Sequence, residues 1–204
     1  MVLANELFDA MPVHRVTVEG GVLREVFVGL EESPGPDGTR RFMDVLGPPT
    51  PGVAERFDVL GVTFAEGYRA EVCMEMDTWM TGAGRAMESG YLLLVDYGHE
   101  ADAYYDGNRH RGLLRTYFKH TLGMGPYVRV GRQDLSVHVE LTSLRRAAAA
   151  AGFEEAGATT QAEFLRSMGM DAYRAGIASR SDLPRAVRVA NLAALDALMD
   201  PDGV

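Results

Sequence analysis

Apolar and polar residues alternate most plainly over 13–28. Val13-His14-Arg15-Val16-Thr17-Val18 and Val22-Leu23-Arg24-Glu25-Val26-Phe27-Val28 flank a Glu19-Gly20-Gly21 turn, which predicts a β-hairpin with one buried face. Upstream, Val2-Leu3-Ala4 reads as the end of a buried strand, broken at Asn5-Glu6. Two Pro/Gly-rich loops, Glu31 to Arg41 and Gly47 to Gly52, bracket a short strand over Arg41 to Leu46, and Gly67 to Val72 forms another. Met76, Trp79, Met80, Ala83 and Met87 share one helical face within Met74 to Ser89. Tyr91 to Val95 is then apolar on both faces, as in a parallel strand covered by helices, and ends in Asp96-Tyr97-Gly98-His99. In open α/β sheets such strand ends gather ligand-binding groups.

Beyond this point the pattern is shorter-ranged. Tyr104 to Asn108 reads as a loop and Leu113 to His120 as a strand or extended segment. Asp134 to Leu141 leads into an alanine-rich helix with Thr142 or Ser143 as N-cap and Gly152 as stop. Phe153 to Thr159 is expected as a strand and Gln161 to Met168 as a helix. Leu183 to Met199 is a further helix with Pro184 in its first turn.

Composition narrows the function classes. At 47% hydrophobic and 24% charged, 204 residues make an ordinary domain with a real core. The net charge of −9 argues against a sequence-independent grip on nucleic acid. Basic charge is almost all arginine, Lys119 being the only lysine. The single cysteine, Cys73, excludes a disulfide framework or a cysteine-based zinc site and reads as a buried thiol. No apolar run approaches the roughly 20 residues of a membrane span, and Asn5, Glu6 and Asp9 break any signal-peptide core, so a cytoplasmic location is the expectation. His14, His99, His110, His120 and His138 form no metal-binding spacing, and no Gly-x-Ser-x-Gly elbow is present.

Four ordered segments carry a resemblance: Ala4-Asn5-Glu6-Leu7-Phe8-Asp9-Ala10-Met11-Pro12-Val13, Gly90 to Gly98, Gln133-Asp134-Leu135-Ser136-Val137-His138-Val139, and Thr160 to Leu165. Together they resemble the MidA-like methyltransferases, a family that includes a mitochondrial complex I assembly factor methylating an arginine of a partner subunit. The likeness runs from Val2 to about Met170. It implies an α/β fold: part of a Rossmann-like methyltransferase sheet using S-adenosyl-L-methionine (SAM), with residues 13–66 as an inserted substrate-side β-hairpin region. Residues 171–204 would be a helical extension. Asn5-Glu6 would follow the fourth strand of the family sheet and Asp96-Tyr97-Gly98 the fifth. The glycine loop and the ribose-binding acid would lie upstream of Met1, which makes these residues the C-terminal part of such an enzyme. Gly82-Ala83-Gly84 and Gly123-Met124-Gly125 lack the strand-to-helix setting of a cofactor loop and read as a helix irregularity and a turn. Met74, Leu113 and Glu140-Leu141 depart from the family pattern, where proline, threonine and Asp-Phe are usual.

Methyl transfer needs positioned groups more than acid–base catalysis. Carboxylates pair bidentately with a planar, charged guanidinium, so Glu6 and Asp9, three residues apart, are the candidate catalytic residues. Asn5 is the candidate cofactor contact; Asp96, Tyr97, Gly98, His138 and Glu140 are the candidate substrate-binding residues. His99 reads as an ordinary exposed histidine, and His120 is a weaker candidate of the same kind as His138. The acceptor would be a protein, on the family's precedent a respiratory complex subunit. A truncated remnant that binds a protein without catalysis is the alternative reading.

Overall fold

The computed structural model describes residues 1–36 and 38–200; Asp37, in the expected 31–41 loop, and residues 201–204 of the expected C-terminal extension lie outside it. In chain order the elements are β1 (Val2–Asn5), β2 (His14–Glu19), β3 (Val22–Leu30), β4 (Phe42–Gly47), α1 (Val53–Leu60), β5 (Arg69–Val72), α2 (Glu75–Ala86), β6 (Leu92–Val95), β7 (Gly98–His99) and α3 (Ala101–Tyr104). A 3-10 turn (Gly107–Arg109) precedes β8 (Arg115–Phe118), β9 (Thr121–Leu122), β10 (Asp134–Ser136), β11 (Val139–Glu140) and α4 (Leu141–Ala150). Then come α5 (Gln161–Ser167), α6 (Met170–Ser179) and α7 (Arg185–Leu198). Two compact units divide between Glu154 and Glu155, ahead of the expected boundary near residue 170.

Within residues 1–154 the expected hairpin is the centre of an antiparallel sheet of order β4-β3-β2-β5. Gly20 (φ 60°) and Gly21 (φ 74°) form its two-residue turn, whose left-handed backbone suits glycine. Both turn amides donate to the Glu66 carboxylate at 2.9 Å. A core of Val16, Val53, Phe57, Tyr68, Ala70, Val72, Tyr104 and Tyr105 joins this sheet to α1 and α3. Helix α1 lies in a stretch for which the sequence suggested no element. Val53, Phe57 and Leu60 give it an apolar stripe, but at eight residues after a Pro/Gly-rich loop it offers little periodicity to detect. Glu71, 3% exposed, accepts from Leu113 N at 2.7 Å and so pins the turn after the 3-10 segment.

The parallel pairing is shorter. β1 runs beside β6 from Val2↔Leu92 to Asn5↔Val95. The same chain continues as β7, which pairs in parallel with β11 through Val139↔Gly98 and Glu140↔His99. α2 and α4 pack on each other over these strands, and Phe8, Met76, Met80, Val139, Leu144 and Ala147 form the second core. The predicted α2 face is the one buried: Met76 and Met80 are closed off, and Trp79 meets Phe8 edge-on at 5.0 Å. This mixed α/β architecture has the expected parallel strand pair and the expected antiparallel insertion.

Three local expectations are corrected. The α4 N-cap is Glu140, whose side chain accepts from Thr142 N at 2.7 Å and Ser143 N at 3.0 Å, because β11 runs straight into the helix. Residues 153–160 carry no regular structure; Glu154, Glu155, Ala156, Gly157 and Ala158 are poor strand formers. The segment expected over Leu113 to His120 stops at Phe118, where Lys119 (φ 52°) and His120 (φ 61°) turn the chain into β9. In residues 155–200, α5 packs on α6 and α6 on α7, with Pro184 at the N-cap of α7; helix α6 was not foreseen and has no buried residue.

Met80 is fully buried between α2 and α4. Met80→Ala should cost about 2–5 kcal/mol in urea unfolding; a cost below about 1 kcal/mol would place it outside the core.

Candidate functional site

Parallel pairing brings the carboxyl ends of β1 and β6 to one edge, so Asn5-Glu6 and Asp96-Tyr97 lie side by side. The chain leaves β1 through Glu6, whose amide donates to Val95 O at 2.8 Å. Glu6 has φ 47°, a left-handed backbone uncommon for a residue with a side chain; strain of this kind gathers at functional sites. Asn5 and Glu6 are both exposed on this lip.

Behind the lip the loop is tied down. Asp96 Oδ2 accepts from Phe8 N at 2.9 Å and Asp9 N at 3.4 Å, and its Oδ1 accepts from Tyr97 N at 3.0 Å. Burial raises the Asp96 pKa, and the neighbouring Asp9 charge adds to the shift, while the three amides oppose it. The Tyr97 phenol donates to Asp9 Oδ2 and lies 2.7 Å from Ser136 Oγ. Ser136 in turn donates to the same Asp9 oxygen at 3.0 Å. Asp9 O accepts from Val137 N at 2.9 Å, so backbone and side chain are both held. Asp9 is 7% exposed, and its Oδ1 is buried with no hydrogen-bond partner among the described residues. Burial, followed by the Asp9 hydrogen bond, pushes the Tyr97 phenol well above its usual pKa, and the Glu6 charge contributes.

A basic stack continues from Tyr97. His138 lies edge-on to Tyr97 at 5.3 Å and stacks on His99 at 5.2 Å. His99 Nε2 is 3.2 Å from both Arg109 Nη2 and His138 Nδ1. Arginine only donates, so His99 Nε2 is the acceptor, and the shared contact puts a proton on His138 Nδ1. Burial lowers both histidine pKa values, with Arg109 contributing at His99 and the His99 and arginine charges at His138. His99 was expected to be ordinary and exposed; it is half-buried, because the β7–β11 register sets it beside the 138–140 segment.

The expected residues therefore separate by role. Asp9, Asp96 and Tyr97 join one network, His138 touches it, and Asn5 and Glu6 form its rim. Gly98 serves packing: a Cβ there would lie 2.2 Å from Val139 O. Both Glu140 oxygens are engaged by the first turn of α4, apart from the Asp9 network. His120 sits exposed in the β8–β9 turn. Ser136 and Arg109 were missed. Ser136 stood inside a quoted segment, but a serine beside Leu135 and Val137 gives no sign that it reaches a residue 127 positions away.

For SAM the described residues fit on one side only. Gly82 and Gly84 are inside α2, and Gly123 and Gly125 lie after β9 with no helix following. Among the described residues no glycine turn from strand to helix faces the lip. Among the described residues no group of three or more His, Cys, Asp or Glu is arranged to hold a metal, and no helix is long and apolar enough to cross a membrane.

The fold is that of solved methyltransferase-like proteins. A Burkholderia thailandensis protein of the COG1565 superfamily, crystallised with S-adenosyl-homocysteine, superimposes with TM-score 0.76 and 26% identity, over 97% of this chain and 48% of that one. A native crystal structure from the same organism gives the same score and identity, with 97% and 49% covered. Residues 1–159 match the profile described as "Putative S-adenosyl-L-methionine-dependent methyltransferase", and the chain belongs to that family. The human protein arginine methyltransferase NDUFAF7, mitochondrial, is 31% identical over 202 residues, covering 98% of this chain and 42% of the relative. Its rat counterpart is 29% identical over 171 residues, covering 83% and 35%. The chain thus spans about two fifths or less of these relatives' length, and the MidA-like resemblance stands.

The lowered histidine pKa values fix a pH dependence. Both groups are harder to protonate folded than unfolded, so stability is complete above the unfolded value of about 6.5 and is lost as pH falls below it. Melting temperature should therefore drop between about pH 7 and 5.5, less steeply in His138→Gln; identical slopes would show that the stack does not titrate.

Proposed function

We propose that these residues form the acceptor side of a SAM-dependent protein arginine methyltransferase. The observation that carries this reading is Glu6: an exposed carboxylate on a left-handed backbone, at the shared end of two parallel strands. A guanidinium is planar and permanently charged, and a carboxylate at a fixed point selects it by paired hydrogen bonds. The names of the human and rat relatives support arginine as the acceptor. When bound, SAM supplies an electrophilic methyl group, which leaves the protein chiefly to bind and orient. In this reading Asn5 faces the cofactor, Glu6 pairs with the acceptor, and Asp96 fixes the loop between them. Among the described residues no glycine turn for the cofactor is present, so in this reading they supply only the acceptor side. A second reading, a protein-binding module without transfer activity, draws on apolar side chains exposed along β3 and β4, including Phe27, Val28, Leu30 and Phe42.

Methyl transfer to an arginine-containing peptide, assayed with the full chain carrying these residues, separates the two. The wild type should transfer, and Glu6→Ala should lose on the order of a hundredfold or more without unfolding. A full chain that transfers nothing favours the binding module, and unchanged turnover in Glu6→Ala removes Glu6 from the site. Titrated with SAM, residues 1–204 alone should bind weakly or not at all; tight stoichiometric binding would contradict the division of the site.

A further inference from the structure

The Asp9 carboxylate lies behind the lip rather than on it. One of its oxygens is engaged by two hydroxyls, and the other is closed off from solvent. A group so placed does not meet an acceptor arriving from solution, and its burial calls for an explanation. The explanation lies in what the carboxylate connects. Asp9 Oδ2, the Tyr97 phenol and Ser136 Oγ form a triangle of close oxygens that links the loop after β1, the loop after β6 and the end of β10. These segments lie 88 and 127 residues from Asp9 in the chain. Ser136 is 9% exposed. The next residue, Val137, donates its amide to Asp9 O, so strand β10 grips Asp9 by side chain and backbone together. Only two residues separate Asp9 from Glu6, and the amides of Phe8 and Asp9 are bound by Asp96. With Asp9 fixed, the short segment back to Val95 leaves the Glu6 backbone little freedom to relax from its left-handed conformation.

We propose that Ser136 is a positioning residue for methyl transfer: with the Tyr97 phenol it anchors Asp9, and the anchored loop holds Glu6 toward the acceptor. Asp9 acts through the same anchor and is not an acceptor ligand. The catalytic part of this inference rests on Glu6 as the acceptor carboxylate; the anchoring part does not. A hydroxyl at position 136 is the requirement, so threonine can serve where alanine cannot.

The test uses the full chain, with wild type, Ser136→Ala and Ser136→Thr compared in two measurements. In hydrogen exchange, Ser136→Ala should speed exchange of the Phe8 and Asp9 amides at least about tenfold, leave the Leu92–Val95 amides unchanged, and be reversed by Ser136→Thr. In methyl transfer to an arginine peptide, kcat should fall at least about tenfold in Ser136→Ala with the KM for SAM unchanged, and recover in Ser136→Thr. Unchanged exchange at Phe8 and Asp9 overturns the anchor, whatever the activity. Faster exchange with unchanged kcat overturns the positioning role. A fall in kcat that tracks loss of folded protein, or that Ser136→Thr does not restore, does the same. If the wild type transfers no methyl group to arginine, the functional reading fails by itself, and the exchange result still decides the anchor.

Discussion

Asp96 is the joint on which the rest of the site depends. Its position follows from the parallel register of β1 and β6, which sets the two strand ends level. From there its carboxylate gathers the amides of Phe8, Asp9 and Tyr97, closing the loop after β1 onto the loop after β6. Those amides would otherwise be orphaned where the strands end, and the carboxylate would otherwise be buried without donors. Each side therefore supplies what the other lacks. Burial still raises the Asp96 pKa, so the joint depends on the loop amides staying in place.

From this joint the chemistry divides by depth. The exposed rim carries Asn5 and Glu6; the interior carries the Asp9–Tyr97–Ser136 triangle; and the His138–His99–Arg109 stack adjoins it through the edge of Tyr97. In the proposed reading the rim carboxylate pairs with a guanidinium and the interior keeps it rigid, since small misplacements are expensive in transfer reactions. The antiparallel insertion β2–β5 is built on the other core and reaches the site region through Tyr104, Tyr105 and Val137, which share that core with Val16 and Val72.

The parts legible in the sequence were those written in local pattern. The Gly20-Gly21 turn announces the hairpin, the Met76–Met80 face announces α2, and the apolar run before Asp96 announces a parallel strand. The family likeness put Asn5-Glu6 after the fourth strand and Asp96-Tyr97-Gly98 after the fifth; that the two strand ends lie side by side is what the pairing adds. What escaped was tertiary. Glu140 reads as a ligand until β11 runs directly into α4 and commits both its oxygens to the helix. His99 reads as a surface residue until strand register stacks it on His138. Ser136 has no signature at all, because its meaning depends on Asp9, 127 positions away. Phe153 to Thr159 was expected as a strand, but Glu154, Glu155, Ala156, Gly157 and Ala158 are poor strand formers and the segment has no regular structure.

The most direct measurement is a crystal structure of the full chain with S-adenosyl-homocysteine and an arginine-containing acceptor peptide. The account predicts the guanidinium within hydrogen-bond reach, about 3 Å, of the Glu6 carboxylate, with Asp9 still bound by Tyr97 and Ser136 beneath it. A guanidinium paired elsewhere, with Glu6 turned to bulk solvent, would contradict it.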